Sequence, residues 1–271
     1  MNRHSATIWR LIDSGPLPGP DNMAIDEALL RSFDPLTSLP VLRLYGWSPP
    51  ALSLGRFQKG AEVLDLERCQ ADHVPIVRRI TGGGVIYHAD ELTYSIICGP
   101  GQIPPASSVK DSFRVLTGFL MAFYRLLGLG AAYAADAMPG GTVLGERTAF
   151  CFAGKETFDI LIGGAKIGGN AQRRVKGAIF QHGSIPLVNR AGTGLSYMKE
   201  RLPGHALGAT SLADCGVSGH DRLPQLLAES FKTYFFVNFS PDELSQPERQ
   251  MAAELLVHKY STNQWNLEGV G

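Results

Sequence analysis

The chain has 271 residues, and its 25 Lys plus Arg are matched by 25 Asp plus Glu, so its formal net charge is zero. That length supports one large domain or two small ones, and the even balance removes any global electrostatic case for a nucleic-acid partner. Hydrophobic residues make up 44%, which predicts a sizeable core and excludes a disordered chain.

The amino terminus, Met1 to Gly15, has no apolar stretch of the signal-peptide kind. Thr7 to Ile12 and Val41 to Tyr45 read as strands from their β-branched and aromatic content. Between them Asp21 is expected to cap a helix with Ile25, Ala28 and Leu29 on one face. Ala51 to Leu54, Pro75 to Ile80 and Leu92 to Cys98 are further strands. Ser108 to Asp111 resembles a capping box. The helix it opens carries Phe113, Leu116, Leu120, Phe123 and Leu127 at helical spacing, and Gly128 and Gly130 stop it. The longest apolar segment, Val115 to Ala135, contains Arg125 and glycines, so a buried helix is expected and no membrane span.

Pro139 to Gly145 is expected to be a surface loop. Phe158 to Ile162 alternates as a strand, Gly163-Gly164 signals a two-residue hairpin, and Lys166 lies on the returning strand. Phe180 to Leu187 is another strand. From about residue 221 the chain is expected to be helical, with helix starts at Ser240-Pro241 and Gln246-Pro247. The tail after Tyr260 lacks periodicity and is expected to be loose. Strands and helices do not alternate strictly. The expectation is therefore one α+β domain spanning 1–271, with a mixed, largely antiparallel sheet and flanking helices.

The four cysteines, Cys69, Cys98, Cys151 and Cys215, have spacings that suit neither a metal site nor a disulfide framework. A reducing, cytoplasmic compartment is expected. Arg78-Arg79-Ile80-Thr81-Gly82-Gly83-Gly84-Val85-Ile86-Tyr87-His88 is the most informative stretch. Three consecutive glycines are costly to order. Beside two guanidinium groups, their bare backbone could cradle an anion; an ordinary glycine-rich turn is the plainer reading.

Cys151 and Lys166 allow two readings each. Free cysteine is usually buried and inert, but a thiol near an ammonium is a natural acyl acceptor. Lys166 is either a surface lysine or, among small residues, a point charge aimed at a ligand carbonyl. His88 and His182 could act as acid or base, or be tied core histidines. Neither a G-x-S-x-G elbow nor a Walker loop is present.

These residues converge on a resemblance. Arg78-Arg79-x-Thr81-Gly82-Gly83-Gly84-x-x-x-His88 resembles the signature of the lipoate–protein ligase and octanoyltransferase family. Asn22 to Glu27, Leu42 to Pro50 with Ser53 to Gln58, Gly164 to Arg174, and Gln181 to Ile185 resemble its other segments, in order, over roughly residues 8–190. The resemblance implies an α+β catalytic domain like those of biotin and lipoate protein ligases, related to class II synthetase cores. Cys151 lies where the cysteine-dependent octanoyltransferase branch carries its acyl acceptor, and Glu91 to Ser95 also looks like that branch. Gly84 stands where arginine is frequent in it, Ala89 separates His88 from Asp90, and Asn170 stands where serine is usual.

The resemblance implies a protein acyltransferase. It would move octanoyl, or lipoyl, from acyl carrier protein through a Cys151 thioester to a lysine of a lipoyl domain, such as glycine cleavage H protein. Lys166 would orient the acyl carbonyl. Arg79, Thr81, Gly82, Gly83, Gly84, His88, Gly169, Ala171, Gln172, His182 and Gly183 would bind substrate. No cofactor or metal is implied on this reading; an ATP-dependent lipoate–protein ligase, acting through lipoyl-adenylate, would need ATP and Mg. A non-catalytic binder of lipoyl or carrier domains is the third reading.

Overall fold

The computed structural model describes residues 7–137, 149–151, 156–199 and 208–270. The principal sheet has six strands in the order Gly169–Val175, Ala178–Pro186, Glu91–Cys98, Val41–Trp47, Thr7–Leu17 and Val237–Pro241. Its first three pairings are antiparallel and its last two parallel. This is the mixed α+β arrangement expected.

Alternation along each strand sends side chains to opposite faces. Leu42, Leu44, Tyr94, Ile96, Ile179 and Ile185 share a core cluster with residues of helices Val109–Leu126 and Leu223–Phe235. Val41, Tyr45, Ile97 and Phe180 join a second cluster with helices Gly19–Ser32 and Gln246–Leu255. The sheet is therefore covered on both faces.

Two small sheets flank it. One pairs Ile76–Arg78, Ala51–Leu54 and Ile86–His88; the other orders Ala209–Thr210, Ala165–Ile167, Ile160–Ile162 and Ala131–Tyr133. Gly163 and Gly164, at φ 58° and 82°, make the anticipated turn between antiparallel partners, a conformation only glycine adopts without strain.

Several local expectations are corrected. The first helix starts at Gly19, after Pro18, with Asp21 inside its first turn rather than capping it. Pro20 supplies the pre-set φ that favours an earlier start. Ser108 accepts from the Asp111 amide at 3.0 Å, but the Asp111 carboxylate takes the Ser107 hydroxyl, so only half of a capping box forms. Ser240-Pro241 ends a strand, because parallel pairing with Thr7–Leu17 claims this segment. The later helix does open at Gln246, under a full Ser245–Glu248 capping box. The tail is not loose: Gln264–Glu268 forms a turn of π-helix with Trp265 buried. Pro139 to Gly145 lies outside the described residues.

Candidate active site

A cavity opens above the antiparallel half of the sheet, with Trp47, Arg79, Gly82, Cys151, Gly169 and His182 among its lining. The register explains its floor. Ala171, His182, Ser95 and Arg43 sit side by side on four neighbouring strands, and two residues along lie Gly169, Ser184, Thr93 and Tyr45. With a side-chain period of two, both rows face the same way. The floor is thus largely polar, with small residues toward its Gly169 and Ala171 edge, in the midst of an apolar sheet.

Two buried carboxylates anchor these rows. Asp26, from the first helix, accepts from Arg43, the Tyr45 hydroxyl and Ser95, each at 2.8 Å, and lies 3.8 Å from His182 Nδ1. Burial pushes its pKa up, but the Arg43 charge and His182 overcome this and hold it below the ordinary value. Glu91 accepts from Thr93 at 2.6 Å and Ser184 at 2.7 Å, and sits 2.7 Å from His88 Nδ1. It is likewise held below the usual range, chiefly by His88 against the opposing burial.

These anchors fix both histidines. His88 stacks on Trp47 with centroids 3.8 Å apart, and its Nε2 meets Ser53 Oγ at 2.6 Å. His182 Nε2 meets Thr81 Oγ1 at 2.7 Å, and burial pushes its imidazole below the ordinary value despite Asp26. Both line the cavity with their ring nitrogens engaged.

Cys151 and Lys166 come from two separate segments. The Cys151 amide donates to Val85 O at 3.0 Å and the Val85 amide to Ala149 O at 2.8 Å, which stitches the cysteine to the residue just after the triple glycine. Lys166 arrives on the far side of the Gly163-Gly164 hairpin. Its Nζ lies 3.8 Å from Cys151 Sγ, 2.9 Å from Cys151 O and 2.7 Å from Asp159 Oδ2. Only 3% of Lys166 is exposed, which discards the surface-lysine reading. Burial would strip its proton, yet the Cys151 and Asp159 charges prevail and raise its pKa.

Glycines shape the wall. A Cβ on Gly169 would lie 3.0 Å from Cys151 Sγ, whereas one on Gly82 would meet nothing within 4 Å. Gly83, at φ 103°, needs the conformation only glycine takes easily. Arg79 runs behind this segment, donating to Ser53 O at 2.8 Å and Gly84 O at 3.0 Å. Burial lowers its pKa to about 10.

The structure gathers Arg79, Gly82, Gly83, His88, Cys151, Gly169, Ala171, His182 and Gly183 around one cavity, with Lys166 behind the sulfur. Thr81 and Gly84 act one step removed, through His182 and Arg79. Gln172 is a correction: its side chain bonds Gln181 at 3.0 Å and Ser112 at 3.2 Å, away from the cavity, because it alternates to the opposite sheet face from Ala171. The pairing of Arg78 with Arg79 as an anion cradle also fails. Arg78 is fully buried and spends its guanidinium on five backbone carbonyls. Asp90 turns outward to Arg190 at 2.8 Å. Asn170 lines the cavity and accepts the Tyr94 hydroxyl at 2.7 Å.

The structure adds Asp26, Glu91, Trp47 and Asp159 to the residues around the cavity. The first three lie inside segments that carried the resemblance; nothing local marked Asp159. Among the described residues no group of three or more His, Cys, Asp or Glu is placed to hold a metal ion.

Residues 18–221 match the family described as the lipoyl protein ligase A/B catalytic domain. The chain is 35% identical to octanoyltransferase LipM of Symbiobacterium thermophilum, over 96% of this chain and 98% of the relative. It is 32% identical to octanoyltransferase LipM of Bacillus subtilis strain 168, over 95% and 97%. Among solved structures, a lipoate-protein ligase A bound with ATP superposes with a TM-score of 0.81 at 25% identity, over 97% of this chain and all of that one (100%). A bi-partite lipoate protein ligase from Thermoplasma acidophilum, studied with its E2 lipoyl domain, shares the fold at a TM-score of 0.80 and 24% identity, over 98% of each chain.

Proposed function

The chain belongs to the lipoyl protein ligase A/B catalytic-domain family, and on that footing we propose that it is an octanoyltransferase of lipoate metabolism. It takes an octanoyl group already activated as a thioester, holds it on Cys151, and delivers it to a lysine of a lipoyl domain. The observation that carries this reading is the Cys151 sulfur on the cavity wall with the Lys166 ammonium 3.8 Å away.

The chemistry follows from that pair. The Cys151 thiolate attacks the donor carbonyl, its C–S bond forms, and the donor thiolate leaves, an exchange of one thioester for another. The acceptor amine then attacks the Cys151 acyl carbon. A C–N bond forms, the C–S bond to Cys151 breaks, the amine proton passes to solvent, and Cys151 thiolate is released. Lys166 supplies positive charge beside the sulfur and the carbonyl oxygen as negative charge develops there. Trp47 and Ile86, with the glycines, offer the acyl chain an apolar and unobstructed wall. Acyl carrier protein is the proposed donor and a lipoyl domain the proposed acceptor. The route needs no cofactor, because activation precedes binding. No helix among the described residues is long and apolar enough to cross a membrane; we place the reaction in the cytoplasm.

The test is to incubate the protein with octanoyl-acyl carrier protein, without ATP, and weigh it intact. An octanoyl adduct on the wild type, absent in Cys151→Ala, is expected. No adduct, or an equal one in the variant, overturns the thioester route. A second reading, an ATP-dependent lipoate ligase, draws on the structural likeness to a ligase bound with ATP and on Gly84. It predicts lipoate-dependent exchange of pyrophosphate into ATP, which the transferase reading does not.

A further inference from the structure

We infer that Asp159 is a positioning residue for the transfer reaction, holding the Lys166 ammonium against Cys151 through their buried 2.7 Å ion pair. The inference rests on the reading of Cys151 as acyl acceptor. Three observations carry it. Lys166 and Asp159 are 3% and 8% exposed, and an ammonium so buried is costly without a carboxylate beside it. Asp159 is itself fixed: the Glu156 amide donates to its Oδ2 at 2.8 Å and its own amide donates to Glu156 O at 3.0 Å. Finally, Nζ reaches the carboxylate, the Cys151 carbonyl and the Cys151 sulfur together, so the carboxylate sets the direction in which the cation points.

Among the described residues, Cys151 and Glu156 also act on Lys166 through charge. Glu156 acts on it through charge, whereas Asp159 touches the ammonium directly at 2.7 Å. Without Asp159, burial drives Lys166 to shed its proton or swing away, and the sulfur loses its neighbouring cation. The turn that Asp159 closes is a competing, purely structural role, which the test must separate.

The test is a double-mutant cycle. Wild type, Asp159→Asn, Lys166→Met and the double variant are each treated with iodoacetamide and, separately, with octanoyl-pantetheine. Modification of Cys151 is followed by intact mass, with Cys151→Ser as the blank for other thiols. Asp159→Asn and Lys166→Met should each slow both reactions about tenfold or more, and the double variant should be no slower than Lys166→Met. Asp159→Glu should recover part of the rate. A folded Asp159→Asn that reacts like wild type, or that slows the Lys166→Met background equally, overturns the inference. If alkylation shows the coupling while no variant, wild type included, is acylated, the proposed function fails and the positioning role stands.

Discussion

The Arg78 guanidinium donates to the Trp265 carbonyl at 2.7 Å, and the Trp265 indole donates back to the Arg78 carbonyl at 3.2 Å. The same side chain also binds Gly55 O at 2.9 Å and Leu267 O at 2.9 Å. One buried arginine thereby ties the carboxyl-terminal turn to the strand leading into the glycine segment. Glu27 makes a parallel tie, accepting from Lys259 at 2.8 Å and from Tyr260 at 2.5 Å. The cavity wall is braced from a part of the chain nearly two hundred residues away in sequence (|i−j| of 187).

Arg78→Met should therefore act on stability rather than on chemistry. It removes the partner of five carbonyls in buried or partly buried bonds, and leaving such groups unpaired costs roughly 2–4 kcal/mol in total after relaxation. Urea unfolding should show that loss, while the folded variant still alkylates Cys151. A midpoint equal to wild type would show that water replaces the guanidinium at no cost.

Lys166→Met leaves the buried Asp159 carboxylate unpaired and so should lower stability; in the folded fraction it should slow acylation of Cys151 by about tenfold or more, as expected for removing one aimed electrostatic group. Single-turnover acylation with octanoyl-acyl carrier protein reads this directly. A loss of less than about threefold would deny Lys166 its proposed role.

Two glycine substitutions should separate chemistry from folding. In Gly169→Ala the added methyl lies 3.0 Å from Cys151 Sγ and displaces the sulfur, so acylation should fall about tenfold with little change in thermal stability. In Gly183→Ala the methyl meets Asn170 Oδ1 at 2.1 Å and Tyr94 at 2.6 Å, inside the sheet, so the fold itself should weaken. Thermal unfolding alongside acylation rates distinguishes the two; the reverse pattern would mean the wall is built otherwise.

Stability should fall in two steps as the pH drops. The His182 pKa is depressed by burial below 6.5, so as the pH falls past that value the unfolded chain takes up a proton that the folded one resists. Protons then favour unfolding, and stability present above about 6.5 is lost below it. Asp26 and Glu91, held below 3.8 and 4.5, repeat this at lower pH through the same sign. Urea midpoints at about pH 7.5, 5.5 and 4 should trace both steps. His182→Gln should flatten the first step only, and a wild-type midpoint unchanged down to about pH 5 contradicts this account.

Local rules sufficed where the information was local. The helix after Ser108 and the Gly163-Gly164 hairpin follow from periodicity, capping and positive φ, each set within a few residues. The ordered motif series pointed to the family and to Cys151, Lys166 and the glycines. What it could not settle was which way neighbouring side chains face: Arg78 and Arg79 are adjacent and identical, yet one braces the tail and the other backs the site. Gln172 and Ala171 divide in the same manner, across a strand's two faces. Ser240-Pro241 carries a helix-start pattern yet lies in a strand, because pairing with Thr7–Leu17 is a long-range contact. The motif series and local patterns were enough for the family and the sheet-and-helix class. The floor of the cavity and the Asp159–Lys166–Cys151 alignment emerge at the level of packing, because register and burial bring together groups that no local pattern connects.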